Sequence, residues 1–384
     1  MALGKAFASS TVSTYRSGVI AFFLFLALCA EAVPAYYDIP QMSMMDRDDL
    51  FCQFAMWLAS TASPQARRRG MGLSFSTIKT YLSSVFTIYR FGGVGRRMRE
   101  GCSQLTFLMR SLRKSCGAPL QQLPVTAAML EYAHARAQAS ATLRTVFAAM
   151  VLAWFFLLRV SEYCFKPPTR QEKAAAAKLG RQAGGDRLLT LNDLTFFDEQ
   201  GAQLSEMALC TAVGAGTWPA RLGLFVKASK TDQVGVGALL DMWRRDEGAF
   251  GPVRTLAAHV VGRYADGARP TDAVFVVDGR PLTPGKMNKL MRQLLTGFMR
   301  ADGTRPPLAR LSSHSLRAGG ATALFASGAS ATLIAQLGRW ASDAYLGYCR
   351  LTAAVTRGVS ALMMRASAGG LDRTMGEAGP GDEP

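Results

Sequence analysis

The eight residues from Gly117 to Pro124, GAPLQQLP, constrain this chain more than any other segment. A glycine and two prolines in so short a stretch break helical continuity and mark a linker. On its N-terminal side every apolar segment recurs at helical spacing, whereas on its C-terminal side strand-like runs join the helices. The chain therefore reads as two modules with different make-up. An all-α domain covers 8–117, a linker 118–124, and a mixed α/β domain 125–365; a Gly-, Asp- and Pro-rich tail over 366–384 is expected to be disordered. The fold class this implies is mainly α with a small antiparallel β-sheet. A length of 384 residues and a hydrophobic share of 49% leave enough apolar material for each domain to bury a core of its own.

Four helices are predicted in the first domain. The first spans 9–32 and starts at Ser9, Ser10 and Thr11, good N-cap residues. The second spans Asp46–Ser60, with Leu50, Phe51, Phe54, Ala55 and Leu58 on one face, and the third runs from Ser76 to Gly92 through Ile78, Tyr81, Leu82, Val85 and Ile88. The fourth covers Ser103–Ser115. Within the first, Gly18–Ala30 is apolar enough to pass for a signal peptide behind Lys5 and Arg16. It is short for a membrane span, which takes about 20 apolar residues, and a buried amphipathic helix is the preferred reading. Beyond the linker, helices are predicted over Ala127–Ala137 and Ala141–Leu158, then an exposed insertion to Gly185. Strands are predicted over Leu188–Leu191, Leu204–Ala208, Leu222–Lys227 and Ala273–Val277, with a turn at Lys230–Gln233.

The chain carries 44 Lys and Arg against 27 Asp and Glu, a formal net charge of +17. The excess is spread over both domains, with a net +8 within residues 1–122, and calls for a polyanionic partner. The clusters Arg67-Arg68-Arg69 and Arg96-Arg97-Arg99, together with Lys79, are candidate phosphate contacts. Residue by residue, a solvated surface explains them equally well. Seven cysteines without a CxxC pair give no zinc ribbon and fit a reducing, intracellular setting. No metal site, small-molecule cofactor or membrane partner is expected, and no GxxxxGK[ST] phosphate loop occurs.

Residues 311–350, LSSHSLRAGGATALFASGASATLIAQLGRWASDAYLGYCR, carry the chemistry. His314 and Arg317 lie three apart and share a helical face. Gly319-Gly320 permits close backbone packing, and Tyr348 follows Trp340 by eight residues. Taken singly, Tyr348 reads as a helix-packing tyrosine, His314 as a capping or surface histidine, and Arg159 as a favourable charge at a helix C-terminus. Tyr345 and Lys227 are nearby rivals to Tyr348 and Lys230. As a compound pattern, HxxRxGGAT followed by GRWxSDxxLxYxR resembles the C-terminal signature of the tyrosine recombinase (phage integrase) family. Within that family it is closest in motif to the recombinases of Crypton- and DIRS-like mobile elements. Leu157-Leu158-Arg159-Val160-Ser161-Glu162 matches the family's R-x-x-E motif, and Ser229-Lys230-Thr231-Asp232-Gln233 its hairpin lysine. Ser76–Ser84 and Thr11–Tyr15 resemble its helical, SAM-like core-binding domain, so the likeness covers about residues 8–360.

The resemblance implies a DNA-cutting and rejoining enzyme with Tyr348 as nucleophile and a 3′-phosphotyrosyl intermediate. It further implies Arg159 and Arg317 on the phosphate, Lys230 as general acid, and His314 as a donor or as the base for the tyrosine. Trp340 would donate or buttress, and Glu162 would orient Arg159 or His314. Double-stranded DNA gripped in a C-shaped clamp, a homotetramer on paired sites, and nuclear localisation in a eukaryotic host follow from the same likeness. Three rivals stay open: a type IB topoisomerase-like enzyme, a catalytically silent DNA-binding descendant, and a secreted or membrane-anchored protein should 18–30 be a signal.

Overall fold

The computed structural model describes residues 9–29, 39–61, 70–91, 100–116, 122–168, 177, 188–227, 236–245, 248 and 250–349. The chain divides into two compact units, Met1–Leu120 and Gln121–Pro384.

The first unit contains α1 (Ser9–Cys29), α2 (Met44–Ala59), α3 (Phe75–Phe91) and α4 (Ser103–Ser115). Its core is aromatic. Phe22 and Phe25 of α1 meet Phe51, Phe54 and Leu58 of α2, and Ile78, Leu82 and Val85 of α3 close the cluster. Phe22 and Phe54 pack edge to face with centroids 5.0 Å apart, a geometry worth about 0.5–1.5 kcal/mol beyond area burial. The segment Thr11–Cys29, with a mean hydropathy of 1.7, is long and apolar enough to cross a membrane by length and composition. In this unit it uses one face, Ala21, Phe22, Phe25 and Leu26, to enter the four-helix core, while Ile20, Phe23, Leu24 and Leu28 on the other are exposed.

One buried acid ties two of these helices together. Asp48, in the first turns of α2, is 3% exposed, and its carboxylate accepts from the Gln104 and Leu105 amides at 2.8 Å each. Those amides belong to the first turn of α4, where no intrahelical acceptor exists. A side chain 56 residues away therefore does the work of a local cap. Lys79 is exposed on α3, while Arg67, Arg68, Arg69, Arg96, Arg97 and Arg99 lie outside the described residues.

The second unit is built round α6 (Ala141–Phe155), which is preceded by α5 (Ala127–Ala137) and buried continuously from Val146 to Ala153. A four-residue helix α7 (Val160–Tyr163) follows. Strands β1 (Leu194–Phe197), β2 (Arg221–Val226) and β3 (Ala238–Trp243) form an antiparallel sheet in that order. Helix α8 (Glu206–Gly214) lies between β1 and β2, and α9 (Pro252–Ala265) follows β3. The hairpin of β4 (Val276–Val277) and β5 (Arg280–Pro281) turns on Asp278 and Gly279, both at positive φ, as a two-residue hairpin requires. Helices α10 (Pro284–Leu294), α11 (Ser313–Ala326) and α12 (Ala331–Gly338) complete the described residues, with a 3-10 turn at Asp343–Gly347.

The mainly α fold with a small antiparallel sheet is thus present, with local departures. Leu204–Ala208, expected as a strand, lies at the start of α8: the Ser205 hydroxyl accepts the Ala208 amide at 3.2 Å and caps a helix there. Leu188–Leu191 leads into a 3-10 turn held by Thr190 and Asp193, and the strand begins only at Leu194. Strand β3 was not anticipated. The predicted insertion, 166–185, and the tail, 366–384, fall largely or wholly outside the described residues.

Candidate active site

Helix α6 determines where the site can form. Just past its end Leu157 takes a left-handed conformation with φ 48°, and the Leu158 amide returns to the Ala153 carbonyl at 3.0 Å. Glycine usually occupies this closing position. A leucine there costs on the order of 1–2 kcal/mol, offset here by a side chain that is completely buried. The reversal delivers Arg159 to the start of α7. Glu162, three residues on, accepts the Arg159 amide at 2.8 Å and its guanidinium at 3.0 Å.

Helix α11 supplies the next side chains. Its first amide, Ser313, donates to Asn288 Oδ1 of α10 at 2.6 Å. From Ser313 to Thr322 all its residues are buried except His314. Gly319 and Gly320 press directly on the segments they face. A Cβ on Gly319 would lie 2.0 Å from the Val125 carbonyl oxygen, and one on Gly320 would lie 2.1 Å from that of Trp154. The close approach that this glycine pair predicts is therefore made.

That approach carries Arg317, with no exposed surface, to the end of α6. Its guanidinium donates to the Leu157 carbonyl and, at 2.5 Å, to that of Gly338. It lies 4.2 Å from the Trp340 ring centroid and 5.5 Å from that of Tyr348. Burial, then the neighbouring Arg159 charge, lowers its pKa to about 10, which leaves it protonated at neutral pH.

A second left-handed residue, Arg339 at φ 54°, ends α12. The Trp340 amide returns to the Ala335 carbonyl at 2.9 Å and the Arg339 amide to Gln336 at 3.0 Å, the bond pair of a Schellman motif. From this turn the Arg339 guanidinium reaches Glu162 Oε2 at 2.7 Å, the Leu337 carbonyl at 3.0 Å and the Phe156 carbonyl at 3.4 Å. Burial lowers its pKa, Glu162 raises it and Arg159 lowers it further. Arg339 was not among the residues singled out from the sequence, although it stands inside the GRW motif. Its partner Glu162 is 177 positions away, so spacing alone gave no signal.

Tyr348 stands at the C-terminal end of the 3-10 turn Asp343–Gly347 rather than on an α-helix. Its hydroxyl lies 3.1 Å from His314 Nε2, its ring centroid 5.1 Å from that of Trp340, and its carbonyl accepts the Thr322 hydroxyl at 3.0 Å. His314 reaches solvent; desolvation of its inward part, then Arg317 and Arg159, lowers its pKa below the usual histidine value. Trp340 packs its ring against both Arg317 and Tyr348, which also face each other. The Tyr345 ring also faces Trp340, at a centroid distance of 6.4 Å.

Arg159, Glu162, His314, Arg317, Trp340 and Tyr348 therefore gather in one place, with Arg339 added. Three guanidinium groups and a single carboxylate stand beside the Tyr348–His314 pair, Glu162 pairing with Arg159 and Arg339 while Arg317 is held by main-chain carbonyls, so the locality is net positive and suited to an anion. Lys230 lies outside the described residues. Its rival Lys227 is engaged elsewhere, with Asp193 at 2.8 Å and the Leu188 carbonyl and Thr190 hydroxyl at 3.1 Å. Of the remaining histidines, His259 donates from Nε2 to the Val274 carbonyl at 2.9 Å, and burial first of all lowers its pKa to about 4. Among the described residues no group of three or more His, Cys, Asp or Glu could hold a metal ion.

No protein-family model matches the sequence, and no curated protein does. Solved structures do match. The chain is similar to the XerH site-specific recombinase bound to palindromic difH substrate in a post-cleavage complex, at 13% identity and a TM-score of 0.52, over 92% of this chain and 80% of that one. It also matches the Tn1549 transposon integrase in complex with circular intermediate DNA (14% identity, TM-score 0.45, 84% of this chain and 86% of that one). A lambda integrase dimer bound to a COC′ core site matches at 13% identity and a TM-score of 0.45, over 91% of this chain and 73% of that one. At such identities likeness speaks of architecture alone: with a TM-score of 0.52 to the XerH recombinase, the chain has the tyrosine recombinase fold.

Proposed function

We propose that this chain is a tyrosine-type DNA recombinase, related in motif to those of Crypton- and DIRS-like elements. The Tyr348 oxygen attacks a scissile phosphate in line, a 3′-phosphotyrosyl bond forms, and the 5′-oxygen leaves with a proton. Attack by a 5′-hydroxyl reverses the step. The energy of the phosphodiester stays in the covalent intermediate, so rejoining needs no nucleotide. The observation that carries this reading is the 3.1 Å approach of the Tyr348 hydroxyl to His314 Nε2. A neutral His314 can take the tyrosine proton, and its lowered pKa keeps it neutral at physiological pH. Arg159 and Arg317 would neutralise the charge that builds on the non-bridging oxygens; one such donor is typically worth about 2.7–4 kcal/mol. Lys230 protonates the leaving oxygen, a role that the engagement of Lys227 with Asp193 supports. The partner is double-stranded DNA, bound by a homotetramer on paired sites, within the nucleus where the host is eukaryotic.

One observation favours a second reading. Arg317 has no exposed surface and spends two of its nitrogens on main-chain carbonyls, as would suit a DNA-binding descendant that no longer cuts. Trapping on a nicked duplex, whose short cleaved strand diffuses away, separates the two. A recombinase accumulates a covalent adduct that Tyr348→Phe abolishes. Equal adducts from both proteins would sink the nucleophile assignment, and DNA binding without adduct on every duplex tried would favour the second reading.

A further inference from the structure

We propose that Arg339 is a positioning residue for the phosphate site, acting through Glu162 on Arg159. The inference rests on reading the site as one that binds a scissile phosphate. The Glu162 side chain is fully buried, and its two oxygens divide their work. Oε1 takes the Arg159 guanidinium at 3.0 Å. Oε2 takes the Arg339 guanidinium at 2.7 Å and the Arg159 amide at 2.8 Å. With one arginine, this carboxylate would cancel the charge it orients, and the Arg159 guanidinium would offer a phosphate little field. With two, the cluster keeps a net positive charge, and Arg159, whose side chain is 16% exposed, is its more accessible guanidinium.

The backbone points the same way. Arg339 is one of three non-glycine residues at positive φ among those described. Strain of that kind persists where the surrounding structure over-determines it, often at functional sites. Glycine would close α12 without the cost. Arginine at this position instead spans the end of its own helix, at the Leu337 carbonyl, and the end of α6, at the Phe156 carbonyl. Glu162 is thereby fixed between the helix end that launches Arg159 and the turn that precedes Tyr348. The nucleophile segment and the anion-binding arginine are thus registered through one carboxylate.

A role in holding Arg159 against charge differs from a role in packing, and a change of substrate separates them. Nicked duplexes that trap the wild-type protein are selected from a random-sequence pool. They are then remade with either a phosphate or a neutral methylphosphonate at the scissile position. On phosphate, Arg339→Gln should slow single-turnover adduct formation roughly tenfold to a hundredfold. On methylphosphonate, where the charge that Arg159 neutralises is absent, it should run within about threefold of wild type, and Arg159→Ala should behave alike. Adding Arg339→Gln to Glu162→Gln should cost little more than Glu162→Gln alone, because the two act in series. Equal losses on both backbones would reduce Arg339 to a packing role and overturn the proposal, as would no loss on either. If Arg339→Gln does not fold, Arg339→Lys takes its place: it keeps a charge against Glu162 but cannot span two carbonyls as well, so the same substrate-dependent loss is expected, smaller in size. A wild-type protein that forms no adduct from the pool would bring down the reading of the site itself, and this inference with it.

Discussion

Tyr348 is placed by contacts from three side chains, two on α11 and one on the turn after α12. His314 meets its hydroxyl from the start of α11, Trp340 meets its ring from the turn after α12, and Thr322 holds its carbonyl from the middle of α11. Because partial desolvation and two arginines depress the His314 pKa, its ring stays unprotonated further into acid than an ordinary histidine. The direction follows: the neutral ring accepts the tyrosine proton and the charged ring does not, so adduct formation should lie on a plateau at neutral pH and fall only on the acid side. Single-turnover rates against pH should show a limb centred below 6.5, the ordinary histidine value, which His314→Gln removes; a limb centred above it would contradict the assignment. Most of these residues were legible because residue type and order carried them. What sequence could not convey is that Arg317 is wholly buried, or that Glu162 serves two arginines. Both depend on two left-handed helix ends, at Leu157 and Arg339, that no glycine announces.

At the scale of elements, the remote cap is the feature most open to measurement. Asp48 satisfies two amides at the start of α4 from within the core. Asp48→Ala should therefore destabilise the first unit by about 2 kcal/mol, at the upper end for a lost cap because it strands two amides, of which that of Leu105 is buried. Ser43→Ala, which removes an exposed local cap on α2 whose contact with the Asp46 amide is 3.2 Å, should cost about half as much or less. Denaturant titration of the full chain compares the two; equal effects would argue against the inter-helix tie. The helices themselves were read well from sequence, since their apolar residues repeat at 3.6 over three or more turns. The strands were not. Leu204–Ala208 is too short to show its period and reads as a strand-like run, but Ser205 caps a helix. Strand β3, Ala238–Trp243, is apolar at every position but Asp241 and exposes Leu239 and Trp243, so it lacks the apolar–polar alternation that marks a half-buried strand.

For the whole molecule the governing quantity is charge. The net +17 is divided almost evenly about the linker, so DNA contact should release counterions along both units. The DNA dissociation constant should weaken by roughly 10³-fold or more between about 50 and 200 mM salt. Replacing Arg67, Arg68 and Arg69 together with glutamine should lower the log–log slope by about 2–3 if all three neutralise phosphates; an unchanged slope would return that cluster to ordinary solvated surface. The two sides of the site also differ in how firmly they are built. Arg159, Glu162 and Arg317 are anchored to α6 and α11, which belong to the buried heart of the second unit. Among the described residues, Tyr348 is held at the end of a five-residue turn by contacts with Thr322, His314 and Trp340. Opening the first side means unfolding the unit, whereas opening the second costs only a local fray. On the function proposed above, the attacking tyrosine would therefore be withdrawn or presented on its own, while the arginines that receive the phosphate stay assembled.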